Sequence, residues 1–201
     1  MATNYPVSFD VTRPEKFERP QVALRIVVML ILCLLGAAFG WVFGLVYLVF
    51  PALAAIFISQ KGPEKFLEED GPRMTGWIRW LMALYAYLGL LSDRLPSERP
   101  EEIVRLEIRS GGSPTVGSAL LRIIFGIPSA IVLGLLGIVF AVTWIIAAIM
   151  VLAQENYPDG LFDFHRGVIR WQARLLGYQA SLVEPYPPFA VDTGAEEAAA
   201  A

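Results

Sequence analysis

The sequence predicts an all-α integral membrane protein made of two tandem copies of one unit. Each unit has a short strand, a transmembrane helical hairpin and an interfacial amphipathic helix, and the two strands form a small two-stranded cytoplasmic ribbon. Residues 26–58 and 123–153 carry no charged side chain, which is more than a membrane helix needs. Similar residues also recur in the same order in both halves. The composition agrees, since 56% of residues are hydrophobic and only 17% are charged, unlike a typical soluble domain.

Charge and cysteine content exclude several classes of protein. A net charge of −3 argues against nucleic-acid binding, which needs a basic surface. The single Cys33 excludes an intramolecular disulfide and a site with several cysteine ligands. The sequence has no glycine-rich phosphate loop, no nucleophile elbow and no paired-carboxylate spacing. We therefore expect no cofactor, no metal ion and no enzymatic activity.

The first element of each unit is a strand. Val7, Phe9 and Val11 alternate with polar residues, and Val104–Ile108 repeats the pattern, which is typical of half-buried strands. We expect the two strands to pair antiparallel. Because an isolated ribbon is barely stable in water, it should rest on the amphipathic helices.

The second element is a membrane hairpin, predicted over residues 22–59 and 119–154. A straight helix of 33 residues would be about 50 Å long, whereas the hydrocarbon core is about 30 Å thick. Two short helices joined by a turn fit better. The glycines near the middle of each segment are the expected turns, with helix packing as their alternative role: Gly36, Gly40 and Gly44, then Gly134 and Gly137.

The third element is an amphipathic helix, predicted over residues 74–92 and 161–183. In the second helix, apolar residues recur at spacings of three and four, and a basic stripe lies opposite. We expect the aromatic side to face the bilayer and the arginines to face lipid headgroups. The apolar stripe is Phe164, Val168, Trp171, Leu175, Tyr178 and Leu182, and the basic stripe includes Arg166, Arg170 and Arg174.

The evidence for duplication is a series of ordered matches between the halves. Arg25 matches Arg122 at an offset of 97 residues, and Tyr87 matches Tyr178 at an offset of 91. The units are predicted over 1–100 and 101–190, followed by a disordered tail over 191–201. Further matches are Gln60 with Gln154, Ile78-Arg79-Trp80 with Ile169-Arg170-Trp171, Asp93 with Glu184, and Pro96 with Pro187.

Charge placement predicts the topology. Every Lys and Arg lies outside the two apolar segments, so hairpins would return all of them to one side. The positive-inside rule makes that side the cytoplasm. We therefore expect a multi-pass protein of the inner, cytoplasmic membrane with both termini in the cytoplasm.

The second unit resembles a known family. Tyr157-Pro158-Asp159-Gly160-Leu161-Phe162-Asp163-Phe164, Gly167-Val168-Ile169-Arg170-Trp171 and Tyr186-Pro187-Pro188-Phe189 resemble bacterial membrane proteins classed as domain of unknown function 4389. Arg122-Ile123-Ile124 with Ile127-Pro128 fits the same pattern. The resemblance implies a multi-helix membrane protein and supplies no activity.

Eight residues are candidates for contact with lipid headgroups or the interface. Arg25 and Arg122 stand at equivalent membrane entries, where gripping a lipid phosphate competes with ordinary snorkelling. Tryptophans in such places are typical interface anchors. The full set is Arg25, Arg79, Trp80, Arg122, Arg166, Arg170, Trp171 and Arg174.

Two further sets have structural interpretations. His165, the only histidine, is expected to be solvated beside Asp163 rather than to handle protons. Asp93 and Glu184 end the two amphipathic helices, where a negative charge opposes the helix dipole. We expect them to form ion pairs, with Arg79, Arg94 or Arg170 as partners.

These features favour a non-enzymatic membrane protein. It would be an accessory or scaffold subunit of a membrane complex, or a lipid-binding protein that shapes the membrane. Its expected partners are membrane lipids, a larger membrane protein complex or further copies of itself. The alternative is a small transporter or channel built from two parallel repeats, in which Gln60 and Gln154 would line a polar cavity.

Overall fold

The computed structural model describes residues 5–14, 16–34, 36–97 and 99–192, without the side chains of residues 33–43. The tail predicted over 191–201 lies outside this part from residue 193 onward. The elements are, in chain order, β1 (Val7–Val11), α1 (Arg19–Leu34), α2 (Gly36–Lys61), α3 (Pro63–Lys65), a π-helical turn (Phe66–Asp70), α4 (Gly71–Leu88), a 3₁₀ turn (Pro100–Glu102), β2 (Val104–Ile108), α5 (Val116–Phe125), α6 (Ile127–Gln154) and α7 (Asp159–Gln179).

The predicted ribbon is confirmed. β1 and β2 pair antiparallel, with Val7 opposite Ile108 and Phe9 opposite Leu106. Val7 and Phe9 are 0% and 1% exposed because their side of the ribbon packs on α7, and β2 packs on α4. The period of two in the sequence therefore gave both the strands and the face that they bury.

The predicted turn in the second apolar segment is wrong. α6 continues without a break through Gly134 and Gly137. α5 leads into it through Gly126, whose backbone is itself right-handed helical at φ −71° and ψ −20°. Pro128 stands in the first turn of α6, where its missing N–H leaves little unsatisfied. The 28 residues of α6 span about 42 Å.

The first apolar segment has two described helices, α1 and α2. Gly40 and Gly44 lie inside α2 and Gly36 is its first residue, so the chain does not turn at Gly40 or Gly44. Leu35, between the two helices, lies outside the described residues. Of the positions that the sequence offered for a turn, those that the structure describes are helical.

The long helices pair across the two halves of the chain. α1 packs against α6, and α2 packs against α5. Arg19 at the start of α1 donates a hydrogen bond to the carbonyl of Ala153, at 3.1 Å. Ala54 in α2 and Ala119 in α5 are fully buried, and such small residues allow two helices to approach closely. Each half therefore supplies one partner of both pairs.

α4 and α7 form the centre of the fold and run antiparallel. Gly71 at the start of α4 faces Leu182 beyond the end of α7, and Gly89 faces Ile169. α6 runs along α7, and Trp144 donates its indole N–H to the carbonyl of Leu88 at 2.8 Å. The ribbon covers these helices on another side. The side chains of α7 are consequently buried almost all round.

The outer faces of the long helices form a broad apolar surface, which we call the apolar belt. Its residues repeat at helical spacing and remain exposed, whereas large apolar side chains elsewhere are mostly buried. The belt comprises Leu24, Val27, Leu30, Ile31, Leu45, Leu48, Val49 and Ile56, and on α5 and α6 Val116, Leu120, Leu121, Ile124, Phe125, Ile127, Ile131, Leu135, Ile138, Val139, Val142, Ile145, Ile146 and Ile149. A surface of this size marks contact with lipid or protein.

Candidate functional site

The first candidate residue, Arg25, is a buried cap on the end of α4. Its side chain is 0% exposed, and Nη1 donates hydrogen bonds to the carbonyls of Tyr87 and Ser92 at 3.1 and 2.9 Å. Its guanidinium lies 4.8 Å from the centre of the Tyr87 ring and forms an ion pair with Asp93. A cation at a helix C-terminus satisfies carbonyls that have no partner within the helix.

Arg122 does the same at the end of α7. It is 6% exposed, and Nη1 donates hydrogen bonds to the carbonyls of Tyr178 and Val183, the latter at 2.6 Å. Its guanidinium lies 4.4 Å from the centre of the Tyr178 ring. The arginine, the tyrosine and the two carbonyls thus correspond one for one with those around Arg25.

The helix ends themselves also match. Leu90 and Ser181, which follow the two helices at the same distance, both adopt the left-handed conformation, at φ 64° and 57°. Leu91 then bonds back to the carbonyl of Ala86, and Leu182 to that of Gly177. This is the Schellman arrangement that ends many helices. In each case the arginine caps the helix end by donating hydrogen bonds to carbonyls at that end.

These contacts correct two expectations from the sequence. Arg25 and Arg122 bind backbone carbonyls inside the protein, so neither snorkelling nor a lipid phosphate accounts for their positions. Asp93 does form an ion pair, but its partner is Arg25 rather than Arg79, Arg94 or Arg170. The separations in sequence of 62 to 68 residues explain why spacing alone did not reveal this pairing.

The predicted orientation of α7 is wrong. Arg166, Arg170 and Arg174 are 8%, 0% and 1% exposed, so this stripe does not face headgroups. Arg170 donates from Nε to the carbonyl of Phe9 at 2.8 Å, and Nη1 of Arg174 lies 2.6 Å from the carboxylate of Asp192. The stripe binds the ribbon and the segment that follows α7.

The remaining three candidates, Arg79, Trp80 and Trp171, differ in how far their side chains are exposed. Arg79 is half-buried and donates to the carbonyl of Leu106 at 3.0 Å, as Arg170 does to β1. Trp80 is 45% exposed and donates its indole N–H to the carbonyl of Pro96 at 2.8 Å. Trp171, at the corresponding place on α7, is only 3% exposed and contacts Phe189 edge to face. Of the eight candidates, Trp80 is the one whose apolar ring is most available to a partner or to lipid.

His165 is fully buried, not solvated beside Asp163 as the sequence suggested. Its Nε2 lies 2.8 Å from the hydroxyl of Thr143, and its Nδ1 is hydrogen-bonded to the hydroxyl of Tyr157. The ring stacks on Phe140 with centroids 4.0 Å apart. We call Thr143, Tyr157 and His165 the histidine cluster; sequence reasoning missed it because its members come from three separate segments.

The hydrogen bonds of Thr143 favour one tautomer of this histidine. Thr143 directs its hydroxyl proton to the carbonyl of Val139 at 2.8 Å, so the oxygen accepts the Nε2 proton of His165. Nδ1 therefore carries no proton and accepts the hydroxyl of Tyr157. A neutral imidazole meets both requirements, as a donor at Nε2 and an acceptor at Nδ1.

Burial also holds His165 neutral. Loss of hydration lowers its pKa from 6.5 to about 4, against a smaller opposing effect of the hydrogen bond with the backbone of Phe140. Burial likewise raises the pKa of Tyr157 far above its ordinary value. Both groups therefore stay uncharged at neutral pH and act as hydrogen-bonding groups.

The first half of the chain has apolar residues at the three matching positions. Val49, Phe66 and Met74 stand where the second half has Thr143, Tyr157 and His165. Phe66 and Met74 are fully buried, so the fold accepts an apolar core there. The polar cluster is thus a feature of the second half and has no polar counterpart at these positions of the first.

Gln60 and Gln154, on which the transport alternative rests, are exposed near the end of α2 and at the end of α6. Glu184 lies against Gly112.

The fold places the chain among mostly helical proteins with helices apolar enough to cross a membrane. The chain is mostly helical with a two-stranded antiparallel sheet, and Gly44–Lys61 and Val116–Gln154 are long and apolar enough to cross a membrane. Residues 117–191 match the family described as Domain of unknown function (DUF4389). The resemblance stated from the sequence is therefore confirmed over these residues. No curated protein and no solved structure matches the chain.

The arginine caps predict a large loss of stability on substitution. Changing Arg122→Met or Arg25→Met should lower the free energy of unfolding by about 3 kcal/mol, because buried carbonyls lose their donor. Chemical unfolding in detergent micelles measures this. Arg105→Met, on the exposed face of the ribbon, is the matched control and should change stability by less than about 0.5 kcal/mol. An equally small effect of Arg122→Met would contradict the assignment of the cap.

The histidine cluster predicts a dependence of stability on pH. The unfolded chain binds a proton near pH 6.5 and the folded chain only near pH 4, so stability is complete above pH 6.5 and is lost as the pH falls toward 4. Between pH 7.5 and 5.5 the loss should be about 1.4 kcal/mol.

The matched control carries the residues of the first half of the chain. A Thr143→Val, Tyr157→Phe, His165→Met variant should lack this part of the pH dependence, while effects of other groups remain in both proteins. Unfolding measured at the two pH values separates them. Equal losses in the wild type and the triple variant would show that His165 takes up its proton in the folded state as readily as in the unfolded state.

Proposed function

We propose that this protein is a non-enzymatic integral membrane protein of the cytoplasmic membrane and serves as an accessory or scaffold subunit of a membrane complex. The apolar belt contacts lipid. The central helices and the ribbon form a polar body on the cytoplasmic side. The observation that carries the proposal is this division between an exposed apolar face and a buried polar network.

Contacts between distant segments support a common side for both termini. Tyr5 donates its hydroxyl proton to the carbonyl of Pro185 at 2.9 Å, and Arg170 bonds to both Phe9 and Asp192. The two ends of the described chain therefore touch, and they have to share one side of a membrane. This agrees with the topology expected from charge, although the described residues show no turn at the glycines where turns were expected.

The ends of the apolar segments also return to that body. Lys16, just before α1, forms an ion pair with Glu155, just after α6, at 2.7 Å. Lys61 at the end of α2 pairs at 2.8 Å with Asp70, at the start of α4. Both segments thus end beside polar parts of the protein.

Buried arginines favour a structural role over catalysis. Three of these arginines donate hydrogen bonds to backbone carbonyls: Arg25, Arg122 and Arg170. The side chains of the histidine cluster form hydrogen bonds with one another. Catalytic groups need access to a substrate. These groups instead hold segments in place, as a scaffold requires.

We also propose that the chain arose by duplication of one unit. The matching arginine caps and left-handed residues support it, as does the exchange of contacts between the halves. Arg79 of the first half binds β2 of the second, and Arg170 of the second half binds β1 of the first. Such reciprocity is the mark of a two-fold symmetric dimer, here within one chain.

Thiol labelling in cells tests the topology. In a Cys33→Ala background, single cysteines at Arg13, Lys65, Glu107 and Thr193 should all react with an impermeant maleimide only after the cytoplasmic face is opened. Ile138→Cys, in the belt and 65% exposed, should resist the same reagent because lipid covers it. Labelling of Glu107→Cys from outside, or ready labelling of Ile138→Cys by the aqueous reagent, would contradict the proposal.

A further inference from the structure

One face of α7 is covered by the segment that follows it, residues 186–192, which we call the C-terminal segment. Phe189 contacts the ring of Trp171 edge to face, with centroids 5.6 Å apart. Val191 lies so close to Gly167 that a Cβ there would be 2.7 Å from its Cγ1. Asp192 forms the ion pair with Arg174. An aromatic, a β-branched residue and a carboxylate thus cover this face.

The corresponding face of α4 is open in the described chain. Trp80 stands as far from the end of α4 as Trp171 from the end of α7, yet it is 45% exposed instead of 3%. Gly76 corresponds to Gly167 in the same way, and a Cβ there would meet nothing within 4 Å. Trp77, in place of a buried Val168, is 46% exposed.

The chain after α4 does not close this face. Leu95 and Pro96 correspond in sequence to Tyr186 and Pro187, and Pro96 accepts the indole N–H of Trp80. The chain then forms the 3₁₀ turn Pro100–Glu102 and enters β2. A segment that has to reach the ribbon cannot also lie along Gly76. We call the open surface formed by Gly76, Trp77, Arg79, Trp80 and Leu95 the α4 groove.

The groove has the chemistry to bind what the C-terminal segment presents. Trp80 offers an aromatic face, and Gly76 leaves space for a branched side chain. Arg79 corresponds to Arg170, which donates to Phe9 and also to the backbone carbonyl of Asp192. Arg79 donates to Leu106 from one nitrogen, and its other N–H groups can donate to a carbonyl or carboxylate of a bound segment. Ala83 stands where the second half has Arg174. The indole N–H of Trp80 is already bonded to Pro96, which removes the polar contact that a tryptophan usually makes with lipid headgroups.

We propose that the α4 groove binds an extended segment of a partner protein that resembles the C-terminal segment: proline-containing, with an aromatic residue, then a β-branched residue and a carboxylate. This rests on the proposed role as an accessory subunit and names the chemistry by which it would hold its partner. The partner segment would cover α4 in the way that the C-terminal segment of the same chain covers α7.

Peptide binding tests the proposal directly. A fluorescein-labelled peptide of residues 187–192, Pro-Pro-Phe-Ala-Val-Asp, is titrated with the full-length protein in nanodiscs and followed by fluorescence anisotropy. We expect saturable binding, weakened about tenfold or more by Gly76→Leu, which fills the groove. Gly160→Leu, on α7 at a glycine with equally open surroundings, is the matched control and should bind as the wild type does. Replacing Phe by Ala in the peptide should weaken binding to the unchanged protein.

Several outcomes would overturn the proposal. These are no saturable binding to the wild type, equal binding to the Gly76→Leu variant, or no effect of the Phe replacement. Brominated lipids in the nanodisc provide a further measurement: if they quench fluorescence that a Trp77→Phe, Trp80→Phe variant lacks, lipid rather than protein occupies the groove. Failure in any of these ways leaves the labelling pattern of the belt and termini unchanged, so it is distinguishable from failure of the proposed function.

Discussion

A buried guanidinium needs an acceptor for its hydrogen-bond donors, and in this protein distant segments supply those acceptors. Arg25 and Arg122, at the start of the two long apolar segments, are hydrogen-bonded to the ends of α4 and α7. Arg170 and Arg79 draw each strand to a helix of the other half. Because an unpaired buried charge costs several kcal/mol, these contacts restrict how the strands, the long helices and α4 and α7 can be placed. The apolar belt faces outward as a consequence of that placement.

The two halves of the chain share this framework and differ in what they add to it. The second half has a buried histidine cluster where the first has Val49, Phe66 and Met74. The first half has an open α4 groove where the second is covered by residues 186–192. In both cases the framework remains the same, so the differences lie where function can diverge without loss of the fold. The family match covers residues 117–191, within the second half.

Part of this could be predicted from the sequence. The two strands could be predicted, because the alternation of apolar and polar residues is a local pattern and each strand buries one face. The matching of Arg25 with Arg122 was also visible, but their role was not, since their acceptors lie 56 to 68 residues away. The basic stripe of α7 resembled a face directed at lipid headgroups because neither the ribbon nor Asp192 is near it in sequence. Gly134 and Gly137 suggested a turn, yet glycine only weakens a helix, by about 1 kcal/mol, and in α6 it does not end one.

The placement of the strands and central helices depends most on the reciprocal contacts between the halves, and dividing the chain tests these contacts. Residues 1–97 and 98–201 would be expressed together as separate chains, with an affinity tag on one, and purified in mild detergent. We expect a 1:1 complex that is weakened when Arg79→Met and Arg170→Met are combined, because each strand then loses the arginine of the other half. Recovery of the tagged half alone, or a complex indifferent to both substitutions, would contradict the central claim.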